Sequence, residues 1–204
     1  MIITVIDTET TGFSILNHEL IEIGILRVDT KNNKYKIVDQ LEYKVAPEHI
    51  ELASPHALKV NGYTPEGWQS APRFEFIADE VAKFIGSGEI HLGQNLVFDY
   101  RFIRKAYNQC GKEMPKFKQY IDTKLMADAL VHDKKLQRSG LDFLCEHYKI
   151  KNEGRAHTAL TDCKRTLKLY QKLMLEVKPS LLDFEKPYDP YGASDAEKKE
   201  DTKS

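Results

Sequence analysis

The sequence predicts a single domain of the α/β or α+β class, on three observations. Three strand-like segments open the chain. Helical periodicities follow, broken by one short strand between glycines. No segment repeats, and past Pro179 the apolar pattern fades. A strand meander followed by helices and short strands is the layout of a sheet covered by helices. The 204 residues suit one domain with a substantial core. Hydrophobic content of 41% and charged content of 30% are those of a soluble globular chain.

The first strand is predicted over residues 2–7, an apolar run that ends in Asp7. A polar loop, residues 10–18, reverses the chain. The second strand, residues 20–28, carries Ile21, Ile23, Ile25 and Val28. The third, residues 35–45, places Tyr35, Ile37, Leu41, Tyr43 and Val45 at its apolar positions. Lys31-Asn32-Asn33-Lys34 between them reads as a hairpin turn, which makes the three strands an antiparallel meander. Phe74, Ile77, Ala78, Val81, Phe84 and Ile85 then recur at helical spacing. Gly86, Gly88 and Gly93 punctuate a short strand at residues 90–92, and a helix over residues 98–110 stops at Gly111. Asp122 reads as the N-cap of a helix that carries Leu125, Met126, Ala129 and Leu130. Leu141, Leu144, Cys145 and Tyr148 mark another helix. The last helix starts near Thr158 and buries Leu160, Leu167, Leu169, Tyr170 and Leu173. Residues 187–204 mix Pro, Gly and charge with almost no aliphatic side chains, and a disordered tail is expected there.

The net charge of -1 argues against a broad basic surface for gripping duplex DNA. It is compatible with a small site that holds a few nucleotides with the help of metal. Cys110, Cys145 and Cys163 lie far apart and form no CxxC pair, so reduced thiols are expected rather than disulfides or a zinc site. Met1 leads directly into the first strand, and no apolar run is long enough to span a bilayer. A cytoplasmic location away from membranes follows as an expectation.

Asp7 and Glu9 are the most informative pair. Side chains alternate along a strand, so carboxylates at i and i+2 point to one side. Two like charges held together at a sheet end call for a cation, and a hard divalent metal is the usual one. Asp99 follows Gly93-Gln94-Asn95-Leu96-Val97-Phe98, where a short strand gives way to a helix. His157 and Asp162 flank the entry to the last helix. Singly, Asp99 reads equally as a first-turn acid, Asp162 as a residue of a solvated helix face, and His157 as a surface or capping residue. Together, four carboxylates and a histidine are what a two-metal phosphodiesterase requires, with ions about 3.5–4 Å apart at the scissile phosphate. Oxygen ligands suit Mg²⁺ or Mn²⁺ rather than zinc. A histidine of near-neutral pKa is the natural acceptor of the attacking water's proton.

The ordered set Asp7-x-Glu9, Asp99 and His157-x-x-x-x-Asp162 resembles the DEDDh branch of the DEDD exonucleases, the DnaQ-like proofreading type. Residues 5–12, 94–99 and 155–162 are similar to its three motifs, and Ile121-Asp122-Thr123 and residues 139–144 to its connecting segments. The likeness covers residues 1–176. It implies an RNase H-like α/β fold, a mixed five-stranded sheet flanked by helices. It implies a 3′–5′ exonuclease that acts on single-stranded 3′ ends and releases nucleoside 5′-monophosphates. Asp7, Glu9, Asp99 and Asp162 would bind two Mg²⁺ or Mn²⁺, with Asp7 bridging the ions, and His157 would be the general base. Backbone and hydroxyls around Thr10 and Thr11 would meet the terminal nucleotide. Leu58, Asn61 and Phe98 would pack or wedge against terminal bases. Residues 1–178 would form the exonuclease domain and residues 179–204 a C-terminal strap and tail.

Two positions depart from many relatives, which have His where this chain has Gln94 and Asn61; neither change touches a metal ligand. Positions i and i+5 differ by about 140° around a helix. His157 is therefore expected in the loop that enters the helix, not on it. Asp122 and Asp142 read as N-caps rather than ligands. DNA is favoured over RNA by resemblance. A catalytically silent nucleic-acid-binding or polymerase-tethered module and an RNA-trimming enzyme are the alternatives. A DNA polymerase or a sliding clamp is a candidate partner. Ser180-Leu181-Leu182-Asp183-Phe184 reads either as a clamp-binding peptide or as a strap that packs Leu181 and Phe184 on the domain.

Overall fold

The computed structural model describes residues 1–86, 90–155 and 157–183. The opening meander is β1 (Ile2–Thr10), β2 (Leu20–Asp29) and β3 (Lys36–Lys44). Asn32, at φ 58°, turns the chain between β2 and β3. Two short helices follow, α1 (Pro55–Asn61) and α2 (Pro65–Trp68), then α3 (Phe74–Gly86), β4 (Ile90–Gly93) and α4 (Leu96–Gln109). The chain continues through β5 (Gln119–Asp122), α5 (Thr123–His132), α6 (Leu141–His147) and α7 (Ala159–Leu173) to β6 (Leu182–Asp183).

The strands form one mixed sheet in the order β3-β2-β1-β4-β5-β6. β1 pairs antiparallel with β2 and parallel with β4, and β4 pairs parallel with β5. The five strands expected from the motifs are thus present, and the two residues of β6 add an antiparallel edge to β5. Leu182, not Leu181, packs on the core, while Leu181 is 48% exposed. Phe184 and the expected tail at residues 187–204 lie outside the described residues.

Period-2 alternation in β1 and β2 feeds two cores, one on each face of the sheet. Ile6, Ile23 and Ile25 pack with Ile77, Val81, Ile103 and Tyr107 of α3 and α4. Ile3, Val5, Leu26 and Val28 pack with Leu130, Leu144, Leu160 and Leu167 of α5, α6 and α7. All five apolar positions expected to be buried in the last helix are buried. Ile37 departs from expectation at 39% exposure: a register shift between β2 and β3 pairs it with Val28, out of step with Leu41, which pairs with Ile25 and stays buried.

Besides the two-residue β6, three elements escaped the sequence patterns. α1 and α2 are seven and four residues long, too short to display a helical period. Each nonetheless carries a start signal, Ser54 or Thr64 as N-cap followed by proline at the first helical position. β5 has four residues and follows a lysine-rich run, so alternation has no room to show. α4 begins at Leu96, two residues before its predicted start.

Candidate active site

Asp7 and Glu9 lie inside β1, which continues three residues past its predicted end. They extend the odd-numbered face that carries Ile3 and Val5, the face covered by α7. The antiparallel register sets Gly24 opposite Asp7 and Glu22 opposite Glu9. Gly24 is what lets α7 come close: a Cβ there would sit 2.5 Å from the backbone of Ala159 and Leu160. One turn further on, the Cys163 thiol donates to the Gly24 carbonyl at 3.2 Å. The first turn of α7, with Asp162, therefore rests against the strands that carry Asp7 and Glu9.

Asp99 arrives from the other face. Thr8, the even-numbered residue between the two acids, donates its hydroxyl to Asp99 Oδ1 at 2.6 Å. Asp122 fixes the start of α4. Its carboxylate accepts from Asn95 N and Leu96 N at 2.9 and 3.0 Å, and from Lys124 N of α5 at 2.8 Å. One side chain thus caps two helices, a fuller role than the single N-cap the sequence suggested. Gln94 ties the same corner. Its amide donates to Ser139 O at 2.7 Å, and its carbonyl accepts from the Thr123 hydroxyl.

His157 stands two residues ahead of α7, at φ 60°. Ring Nε2 is 3.7 Å from Asp142 Oδ2, and ring Nδ1 is 4.0 Å from Asp162 Oδ2. The reading of Asp142 as an N-cap is corrected here: Gly140 occupies that position, and Asp142 points at Arg165 and His157. Buried Arg165 forks between the two acids, with NH1 on Asp162 Oδ1 at 2.7 Å and NH2 on Asp142 Oδ1 at 2.5 Å. The α7 N-terminus has no side-chain cap of its own; buried Glu22 accepts from Ala159 N at 2.7 Å instead. Sequence reading missed both Glu22 and Arg165. A glutamate between Ile21 and Ile23 and an arginine three residues after Asp162 were the available signals.

The site's electrostatics follow from burial and crowding. Burial and then Asp99, Asp162 and Glu9 hold the Asp7 carboxyl well above the usual carboxylate range. Burial, followed by Asp162 and Glu22, pushes Glu9 up to about 8. Burial raises Asp99 to about 7 against the opposing Thr8 hydrogen bond. Asp162 is raised by burial, with Arg165 and His157 pulling it back. Four acids that resist ionisation together form a site short of positive charge. Ligand atoms of Glu9, His157 and Asp162 lie within 4.8 Å of one another. This donor set, mostly hard carboxylate oxygen, fits a divalent cation.

The five residues expected to touch substrate divide. Leu58 and Phe98 keep partial exposure, and the Phe98 ring meets exposed Phe13 edge-on at 6.0 Å. Thr11 is fully buried, and its hydroxyl accepts from Glu19 N at 2.8 Å. Asn61 is 3% exposed; its amide donates to Thr10 O at 3.1 Å and its carbonyl accepts from Tyr63 N. Thr10 is buried too, with its hydroxyl donating to Gly12 O. The side chains of Thr10, Thr11 and Asn61 are thus buried and hydrogen-bonded within the protein, next in the chain to Glu9 or bonded to its neighbour Thr10.

Residues 4–170 match the RNase_T family, described as Exonuclease. The DNA polymerase III subunit epsilon of Buchnera aphidicola is 33% identical over 177 residues, covering 82% of this chain and 72% of that protein. The subunit of the same name from Escherichia coli is 29% identical over 175 residues, covering 81% and 68%. The PolC-type DNA polymerase III of Caldanaerobacter subterraneus is 31% identical over 170 residues, which are 83% of this chain and 11% of that protein. Among solved structures, cell-death related nuclease 4 superposes with a TM-score of 0.73 at 18% identity, covering 88% of this chain and 66% of that one. The nuclease domain of 3′hExo, a DEDDh family member, gives 0.70 at 18% identity, covering 88% and 96%. These likenesses show the RNase H-like fold that the motifs implied. The chain belongs to the exonuclease family, in its DEDDh branch of 3′–5′ exonucleases.

Proposed function

We propose that this chain removes nucleotides one at a time from single-stranded DNA 3′ ends, releasing nucleoside 5′-monophosphates with two Mg²⁺ or Mn²⁺ ions held by Asp7, Glu9, Asp99 and Asp162. The convergence of Glu9, His157 and Asp162 within 4.8 Å, beside Asp7 and Asp99, carries the reading. When bound, the ions supply positive charge at the attacked phosphate and lower the pKa of water. His157 takes the proton of the attacking water. Asp142, 3.7 Å from Nε2, stabilises the imidazolium that forms, and Nδ1 remains on the side of Asp162. Thr8 and Asp122 hold Asp99, and Arg165 and Glu22 hold the α7 entry. Leu58 and Phe98 pack against the terminal bases.

Preference for DNA is supported by the polymerase subunits among the sequence relatives, and a polymerase is the partner they favour. Residues 1–178 serve as the catalytic domain, with residues 179–204 as its strap and tail. The test is an oligonucleotide labelled in its 3′-terminal nucleotide, incubated with Mg²⁺ with and without chelator. Labelled 5′-mononucleotide is expected only without chelator. No release with either metal would sink the reading, as would full activity in His157→Ala. Matched DNA and RNA strands test the sugar preference, with faster DNA degradation expected.

A further inference from the structure

The surface beside Phe98 does not belong to the metal site, and its composition is unusual for a chain of net charge -1. Residues 100–112 contain Arg101, Arg104, Lys105 and Lys112 and no acid. Ile15 and Leu16 of the 12–18 loop face Arg101, Arg104, Lys105 and Asn108 of α4 across an open groove of about 470 Å³. Phe13 and Leu16 are 84% and 86% exposed, an apolar rim that a folded chain seldom presents without use. The loop is not loosely held. Lys105 Nζ donates to His18 O at 2.8 Å, and Ser14 N donates to His18 Nδ1 at 2.8 Å. Gly12, at φ 151°, takes a conformation that side chains rarely adopt, and a Cβ there would meet the His18 ring.

The groove is continuous with the site. Asp99 is followed on the same helix by Arg101, Arg104 and Lys105, and Phe13 rests against Phe98 at the junction. We propose that this groove takes the sugar–phosphate backbone of the strand upstream of its 3′ end, with Phe13 and Leu16 under the bases and Arg101 and Arg104 on the phosphates. The proposal rests on the exonuclease reading for the direction of the strand. Cations in a line beside apolar and aromatic side chains are how single strands are held without sequence preference. A protein of net charge -1 can hold a polyanion this way because the charge is local: the groove's walls carry three cations and no anion.

Two measurements test it. Binding of a single-stranded DNA dodecamer is read by fluorescence anisotropy in chelator, where no hydrolysis occurs, from roughly 50 to 200 mM salt. Each phosphate contact contributes about 0.7 to the slope of log K against log salt. Arg101→Gln with Arg104→Gln is therefore expected to lower the slope by about 1.4. Asn108→Glu, which adds a carboxylate at an exposed position and removes no buried contact, is expected to weaken binding as well. In the second measurement, kcat/KM in Mg²⁺ is compared for a dinucleotide and the dodecamer, and the variants are expected to lose more on the dodecamer. An unchanged slope together with equal losses on short and long substrates would overturn the groove while leaving the exonuclease reading intact. If the native protein hydrolysed neither substrate, that reading would fail, and the slope measured in chelator would still decide the groove.

Discussion

Arg165→Met removes the fork that joins Asp162 to Asp142 while keeping most of the apolar stem. The consequences at the two ends differ. Asp162 is 5% exposed and loses the guanidinium that donates to it, whereas the Asp142 side chain is 66% exposed and is rescued by water. Breaking a buried pair by removing one partner costs about 3–5 kcal/mol. Burial raises the Asp162 carboxyl, so desolvation already offsets part of what the guanidinium contributes. The expected loss is therefore at the low end, about 3 kcal/mol in chelator. Bound divalent cation takes over part of the guanidinium's role, so the loss is expected to shrink in Mg²⁺. Activity should fall about 10–100-fold, the usual effect of removing a residue that orients a metal ligand. Arg165→Lys should recover little, because a single ammonium cannot reach both acids at once. Urea unfolding with and without Mg²⁺, and kcat on a short oligonucleotide, provide the readouts. A variant that kept its stability within about 0.5 kcal/mol and its full kcat would refute the account, since such values mark a residue without structural consequence.

The metal-free protein should lose thermal stability as pH rises. Glu9 at about 8 and Asp99 at about 7 are raised above their unfolded values, so the stability they confer is complete below about pH 4 and is lost as pH climbs through 7 to 8. Mg²⁺ should therefore raise Tm more at pH 8.5 than at pH 6, and Asp7→Asn should raise the alkaline metal-free Tm while abolishing hydrolysis; a metal-free Tm that is flat over this range contradicts the argument. Gly24→Ala drives a methyl into the α7 backbone at 2.5 Å and should cost about 1–3 kcal/mol with a loss of kcat, checked by denaturant titration. Asp122→Ala leaves the α4 and α5 starts uncapped, at about 0.5–2 kcal/mol for each helix, whereas Asp122→Asn keeps an acceptor and should remain active. An inactive but stable Asp122→Asn would make Asp122 a metal ligand after all.

What the sequence disclosed and what it withheld divide along a physical line. Asp7 and Glu9 were legible because strand alternation alone puts them on one face, and β1 pairs with β2 in unbroken register from Ile2 to Glu9. The long helices were legible for the same reason, since α3 and α7 repeat their apolar residues over thirteen and fifteen positions. α1, α2 and β5 were not, because four to seven residues hold no period. The supports of the site are a different case. Glu22 caps a helix 137 residues away, Asp122 reaches back 26 and 27 residues to α4, and Asp142 meets Arg165 across 23. No local pattern encodes such pairings, because each partner alone obeys its own element's rules. A charged residue set between buried isoleucines, as Glu22 is, marks only that a partner exists. Asp7 and Glu9 are local in sequence and set side by side by strand geometry, while Asp99, Asp162 and the groups that hold them are brought in from other elements by the fold. For that reason, substitutions at the supports should separate stability from chemistry in ways that substitutions at the ligands do not.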